Sequence, residues 1–310
     1  MNNFTDAEDY LTWNTQPKTE AEMIEIIVKA GIGFEPDRTA IYSNSNYVLL
    51  TYILEKTFKK KYPELLEEYI TQPLGLTNTC FGKKIDSSKN ESKSYHFLEA
   101  WELEPETDMS VPLGAGGIIS TPSDLVKFSD ALFAGKLLKN ESLELMKTIK
   151  DKYGLGLIQI PFYDKIGYGH TGGIDGFSTV FSYFPDGNIS YALTSNGTNF
   201  NNNNISIAVL SAIYNKPYNI PDFKTYTFDT NDLDSYLGVY SSKQIPLKIT
   251  ITKNNTTLIA QATGQSSFPL TATEKDVFEF DQAGVVMVFN PVEKTMILKQ
   301  GGGQFTFAKE

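Results

Sequence analysis

The chain has 310 residues, 41% apolar and 21% charged, which is ordinary for a globular protein and long enough for one large domain or one large and one small. Its formal net charge of -10 argues against a nucleic-acid surface, and the one basic run, Lys59-Lys60-Lys61, reads as a solvated helix end. A single cysteine, Cys80, excludes an internal disulfide or a thiolate metal cluster, and His96 and His170 alone fall short of a histidine-rich metal site, so neither metal nor cofactor is expected.

The first residues show no positive n-region and no apolar h-region, so they do not read as a signal peptide, and no apolar run reaches membrane-spanning length. Thr19 and Glu22 form a capping-box pattern, Met23, Ile26, Ile27 and Ala30 follow at helical spacing, and Gly31 ends the run. A second helix is expected from about Asn46, carrying Val48, Leu49, Tyr52 and Ile53. Pro63 stands where a first-turn proline belongs, ahead of Glu64–Ile70.

Farther along, Gly114–Ser120 is a glycine-rich approach to a helix capped by Thr121, opened by Pro122 and closed by Gly135. The Gly-x-x-x-x-Gly-Lys-Ser/Thr spacing of a phosphate loop is missing, so these glycines read as close backbone packing. Phe177–Phe184 and Ile189–Thr194 are β-rich runs joined by the turn Pro185-Asp186-Gly187-Asn188, and Gly167–Gly173 is a candidate third strand beside them. An apolar helical pattern through Ile205, Ala208, Val209, Ala212 and Ile213 precedes a linker-like stretch, and from about Asp229 short alternating runs predict a small antiparallel barrel or sandwich.

Two short segments carry the chemistry. Tyr42-Ser43-Asn44 lies just ahead of a helix, where a loop can present side chains to a cleft, and His170-Thr171-Gly172-Gly173 is an extended small-residue run. Either segment alone is as well explained by a packed tyrosine beside a helix cap or by an ordinary edge strand. Their order, with the glycine-rich approach and capped helix between them, makes the pair informative.

With Gln72-Pro73-Leu74-Gly75-Leu76, Thr79, Gly116–Thr121, Asp124-Leu125 and Thr194-Ser195-Asn196, these segments make residues 1 to about 215 resemble the serine β-lactamase-like hydrolases, related to class C β-lactamases and D-alanyl-D-alanine carboxypeptidases. The resemblance implies an α+β, β-lactamase/transpeptidase-like fold, an antiparallel sheet flanked by helices plus a helical region, followed by a small all-β C-terminal domain. The implied division is 1–218 hydrolase domain, 219–228 linker and 229–310 β domain. It also implies acyl transfer on amide or ester bonds of a small-molecule or peptide substrate, of D-Ala-peptide, ester or β-lactam type. Tyr42 and Asn44 match the family's Tyr-x-Asn, and His170 takes the place of lysine in its Lys-Thr-Gly. Thr171, Gly172 and Gly173 would bind substrate, Thr171 by hydrogen-bonding a substrate carboxylate and Gly173 by lending a backbone N–H to the oxyanion, a contribution worth about 3 kcal/mol in comparable sites. The histidine tilts the substrate toward peptides or esters.

One component of that site is not in the sequence. No Ser-x-x-Lys occurs, and no serine precedes Ser43. The resemblance places that motif upstream of Tyr-x-Asn, so the expectation is an N-terminally incomplete hydrolase, inactive alone, whose relatives act in the periplasm or outside the cell. The alternative is a non-catalytic binding or scaffold protein that keeps the cleft. The sequence leaves the oligomeric state open.

Overall fold

The computed structural model describes every residue except 1, 36–37, 98–99, 219, 221–225, 227, 229–230, 246, 265–266, 281–283 and 301–302. Most of the expected linker 219–228, and part of the turn expected at Gln300–Gly303, therefore lie outside the described residues. The architecture is α+β, and the chain divides into two compact units, Met1–Tyr95 with Leu103–Gly197, and His96–Glu102 with Thr198–Glu310.

The first unit opens with a short helix α1 (Tyr10–Trp13) and then α2 (Glu20–Ala30). The capping box forms as the sequence predicts: Glu22 N–H donates to Thr19 Oγ1 at 3.3 Å and Thr19 N–H donates to Glu22 Oε2 at 2.7 Å. Gly31, at φ 78°, ends the helix. Met23 and Ile27 are wholly buried against Phe4, Val48 and Val111, which joins α2 to α3 (Asn44–Phe58). That second helix starts two residues earlier than its apolar spacing suggests, because Ser43 is extended and the turn begins immediately after it. Lys59, left-handed at φ 54°, stops it.

Helix α4 (Tyr62–Leu66) holds Pro63 as its second residue and runs through a π-turn at Glu67–Thr71 into α5 (Gln72–Leu74), which ends at Gly75. Strand β1 (Cys80–Phe81), the hairpin of β2 (Tyr95–Phe97) and β3 (Trp101–Leu103), and β4 (Ile118–Ile119), which pairs with β1, follow. The glycines ahead of β4 are packing glycines: a Cβ on Gly114 would collide with Thr51 Oγ1, and one on Gly117 would meet the Leu113 carbonyl at 2.6 Å. Thr121 then caps α6 (Pro122–Phe133), and α7 (Asn140–Lys147), which the sequence did not announce, comes next.

The sheet that carries the site is antiparallel, in the order β5 (Ile158–Phe162), β6 (Lys165–Ile174), β7 (Phe177–Phe184), β8 (Ile189–Ser195). Its β7–β8 turn is the one expected, with Gly187 and Asn188 at positive φ. Helix α6 covers one face: Phe133 stacks on Tyr183 with centroids 4.3 Å apart, Phe128 meets Phe181 edge-on, and Ser190 Oγ donates to Asp130 at 2.5 Å.

In the second unit α8 (Asn202–Ile213) forms where the apolar pattern lies, but it buries Ser206, Leu210 and Ser211, while Ile207, Val209 and Ile213 stay exposed. The strands β9 (Gly238–Ser242), β10 (Lys248–Asn254), β11 (Thr257–Ala262), β12 (Phe268–Glu274), β13 (Val277–Phe280), β14 (Val285–Asn290), β15 (Thr295–Gln300) and β16 (Gly303–Lys309) form a closed barrel, each paired to the next and β16 returning to β9. Barrel, not sandwich, is thus the outcome of the two forms the alternation allows. Alternate residues fill its interior, among them Tyr240, Ile249, Ile251, Phe278, Met287, Phe289, Met296 and Phe307.

Candidate active site

The Tyr42-Ser43-Asn44 segment is fixed by the strip Asn2–Phe4 that runs against it. Ser45 Oγ donates to the Asn2 carbonyl at 2.7 Å and accepts from Phe4 N–H at 3.0 Å, Asn44 N–H donates to Asn3 Oδ1 at 3.1 Å, and Ser43 Oγ donates to the same Asn2 carbonyl at 3.3 Å. Ser43 and Ser45 are buried, at 3% and 0% exposure, with their hydroxyls committed to structure. Tyr42 is half-buried, and its hydroxyl donates to Asn44 Oδ1 at 3.5 Å, the long limit of such a bond.

His170 reaches the same place from the sheet. The β5–β6 ladder ends at the pair Ile158 and Gly169, and from His170 to Ile174 strand β6 pairs only with β7. The His170 ring centroid is 5.8 Å from that of Tyr42. Its Nδ1 lies 2.5 Å from the Thr171 carbonyl. A carbonyl only accepts, so Nδ1 is the donor in this contact.

Between them lies a cleft of about 130 Å³, whose wall includes Ile41, Tyr42, Tyr47, Tyr153, Leu157, Ile158 and His170. Burial raises the Tyr42 phenol above its ordinary pKa, and the neighbouring phenols of Tyr47 and Tyr153 raise it further. The hydroxyl is therefore protonated at neutral pH and serves as a donor; among the described residues the cleft lining holds no Lys or Arg to offset the burial.

Thr171, Gly172 and Gly173 do not line this cleft; they form the exposed continuation of β6 beside it. A Cβ at Gly172 would meet open space, and one at Gly173 only the Phe177 carbonyl at 3.8 Å, so the two glycines leave a bare strand edge. Asn44 also stays out of the wall and touches the site through Tyr42, while Asn46 is part of the wall.

Of three groups that tie this region together, Asp175 and Tyr153 escaped the sequence reading, whereas Thr79 and Asp124 were named there among the residues of the resemblance. Asp175, left-handed at φ 50° in the β6–β7 turn, accepts from Thr107 N–H at 3.1 Å and Thr107 Oγ1 at 2.6 Å, and Asn14 Nδ2 donates to Thr107 Oγ1 at 3.0 Å. That largely buried chain fastens the turn after Gly173 to the loop following α1. Buried Asp124, at 1% exposure, accepts from Asn78 N–H at 2.8 Å and Thr79 Oγ1 at 3.0 Å, which makes the Thr79 and Asp124 positions structural ties. Tyr153, whose ring lies 6.1 Å from that of Tyr42, sat in plain view in Tyr153-Gly154-Leu155-Gly156, where the glycines marked a tight turn.

Comparison with known proteins bears on the family and the fold. The family model described as Beta-lactamase matches residues 3–215. A penicillin-binding protein of Bacillus subtilis (strain 168) is 25% identical, over 98% of this chain and 76% of its own length. The D-alanyl-D-alanine-carboxypeptidase/endopeptidase AmpH of Escherichia coli (strain K12) is 26% identical, over 50% of this chain and 44% of its own length. Among solved structures, the D-amino acid amidase of Ochrobactrum anthropi SV3 complexed with D-phenylalanine superposes with a TM-score of 0.58 at 26% identity, over 64% of this chain and 65% of that one. The chain thus spans about three quarters of the first relative and less than half of the second.

Proposed function

Because the chain belongs to the Beta-lactamase family of serine hydrolases, we propose that the cleft between Tyr42 and His170 is an acyl-transfer site for amides or esters of D-amino-acid type. The observation that carries this reading is the meeting of the two motifs: two segments far apart in sequence bring their rings to 5.8 Å across one cleft. In this reading the Tyr42 hydroxyl donates to the heteroatom of the scissile bond, Asn44 orients that hydroxyl, and His170 Nε2 accepts a substrate N–H or O–H. Thr171, Gly172 and Gly173 offer an unpaired strand edge along which an extended substrate can lie, with the Gly173 N–H directed to the carbonyl oxygen. Residues 1–218 form the hydrolase domain and 229–310 an appended β domain.

Turnover needs a nucleophile activated by a base, and none of the 310 residues offers a serine with lysine three positions on. Ser43 and Ser45 do not substitute, since both hydroxyls are buried and bonded to the Asn2 carbonyl. The polypeptide of 310 residues is therefore read as a substrate-binding unit that does not acylate by itself. The same observation favours the second reading, a protein that binds such ligands without chemistry. The test is incubation of the purified chain with a fluorophosphonate and with a penicillin, followed by intact mass, alongside titration with D-phenylalanine amide. Binding without a mass shift is expected; a stoichiometric adduct overturns the missing nucleophile, and no binding overturns the site.

A further inference from the structure

The turn that ends β6 is gripped from two sides. Ile174 and Phe177 close it, and of the two residues between them only Asp175 lies in the left-handed region, at φ 50°. A hairpin turn with a positive φ at its first central residue alone favours glycine there, yet the chain puts Asp first and its glycine second. Gly176 is required where it stands: a Cβ on it would collide with the Tyr95 backbone, and its N–H donates to the buried Ser94 Oγ at 3.2 Å. Asp175 thus keeps a conformation that glycine would adopt more readily, and such strain persists only where the surroundings impose it.

What imposes it is one residue. Thr107 N–H donates to Asp175 Oδ2 at 3.1 Å and Thr107 Oγ1 donates to Oδ1 at 2.6 Å, so both carboxylate oxygens are engaged. Thr107 is 3% exposed and is itself anchored, because its hydroxyl accepts from Asn14 Nδ2 at 3.0 Å while the next residue, Asp108, donates its N–H to the Asn14 carbonyl at 2.9 Å. Ser94 and Thr107 belong to one stretch of chain, which Glu104 N–H draws together by donating to the Ser94 carbonyl at 2.9 Å. The turn is therefore tied at Asp175 and at Gly176 to a single support.

The residues just before the turn have little else to order them. Thr171, Gly172 and Gly173 are exposed and pair with β7 alone, and the two glycines have no side chain to pack. Glycine backbone loses the most freedom when it is fixed, so an edge ordered before the ligand arrives spares binding that cost.

We propose that Asp175 is a positioning residue: held by Thr107, it fixes the β6–β7 turn and so presets the Thr171–Gly173 edge, without itself touching the ligand. The inference rests on the reading of that edge as part of an amide or ester site and adds the device that keeps it in shape.

The experiment titrates N-acetyl-D-alanyl-D-alanine amide into the full chain by calorimetry and follows amide hydrogen exchange at Gly172 and Gly173, with urea midpoints measured alongside. Asp175→Gly relieves the backbone but removes the tie, and is expected to bind roughly 3- to 10-fold more weakly and to exchange faster at both glycines. Thr107→Val breaks the tie from the other side and is expected to show the same pair of changes, which Thr107→Ser, keeping the hydroxyl, restores. Thr79→Val removes a hydroxyl from the other threonine–aspartate pair, Thr79 with Asp124, and is expected to lower the urea midpoint while leaving affinity and glycine exchange alone. If Thr107→Val does not fold, Asp175→Gly decides. Wild-type affinity and exchange in Asp175→Gly overturn the positioning role, and the cleft still stands if Tyr42→Phe weakens binding. An equal loss of affinity in Thr79→Val assigns the effect to general destabilisation and overturns it too. No binding by the wild type overturns the amide or ester reading, and the positioning role with it.

Discussion

The rings of Tyr42 and His170 stand with centroids 5.8 Å apart and planes inclined at 43°, close enough for one ligand atom to touch both. Each is anchored independently, Tyr42 at the start of α3 and His170 on the β6–β7 ladder. Tyr42→Phe keeps the ring and removes one donor, so amide binding is expected to weaken by roughly 3- to 10-fold, the equivalent of one neutral hydrogen bond. His170→Ala removes an acceptor and a wall together and is expected to weaken it further. Calorimetric titration checks both; unchanged affinity in the pair would show that ligands bind elsewhere.

Ser45 bridges the Asn2 carbonyl and the Phe4 N–H from a position with no exposure. Ser45→Ala strands the Phe4 N–H, leaves the Asn2 carbonyl only the longer bond from Ser43, and is expected to cost about 1–3 kcal/mol in urea unfolding. Ser43→Ala breaks only a 3.3 Å bond to a carbonyl that Ser45 still serves and is expected to cost less. Labelling by a fluorophosphonate should be absent from the wild type and both variants alike.

Glycines in and beside the cleft separate by what surrounds them. A Cβ on Gly154 collides with the Met146 carbonyl, a backbone atom that cannot swing away, so Gly154→Ala is expected to lose about 1–3 kcal/mol by overpacking. Gly172 faces open space, and Gly172→Ala is expected to leave stability within about 0.5 kcal/mol. Chemical denaturation of the two variants side by side decides it: equal losses would contradict the placement of the strand edge.

Much of this arrangement is written locally. The capping residues Thr19 and Thr121, the turn at Asp186-Gly187-Asn188 and the alternation of the tail predict helices, a hairpin and a barrel or sandwich from short-range chemistry, and those elements are present. The pairing of Tyr42 with His170 is also foreshadowed, because two spaced motifs point to it together. What escaped is set by tertiary contact. Strand β5, helix α7 and the Tyr153 turn have weak local patterns and take their shape from neighbours such as Met146 and Leu157. Helix α8 shows the opposite failure, since its apolar residues announce a helix but its buried face carries Ser206 and Ser211. Closure of β16 onto β9 has no local cue either.

High pH offers a separate check on the core around α3. Tyr52, only 8% exposed, has its phenol raised to about 12 by burial and then by Glu20 and Glu55. The unfolded chain ionises this group near 10. Its contribution, on the order of 2–3 kcal/mol, is therefore full below pH 10 and lost as the pH climbs through 12. Tyr42, the half-buried Tyr62 and the buried Tyr240 are raised in the same direction, burial being the main cause in each. Melting curves from pH 9 to 12 should show stability falling, with a shallower fall in Tyr52→Phe; parallel curves would place the Tyr52 hydroxyl in water.

The ring of strands in the second unit has a bearing on handling as well as on shape. With β9 bonded to both β10 and β16, every strand of the barrel has two neighbours among the described residues, so the barrel itself has no edge strand. Most of its pairings join strands adjacent in sequence and can zip in turn, but the β9–β16 seam must wait until the intervening chain has folded back on itself. Until that seam shuts, two ribbons of unpaired amides face the solvent, so the interval before closure is when crowded, newly made chains are most prone to stick to one another.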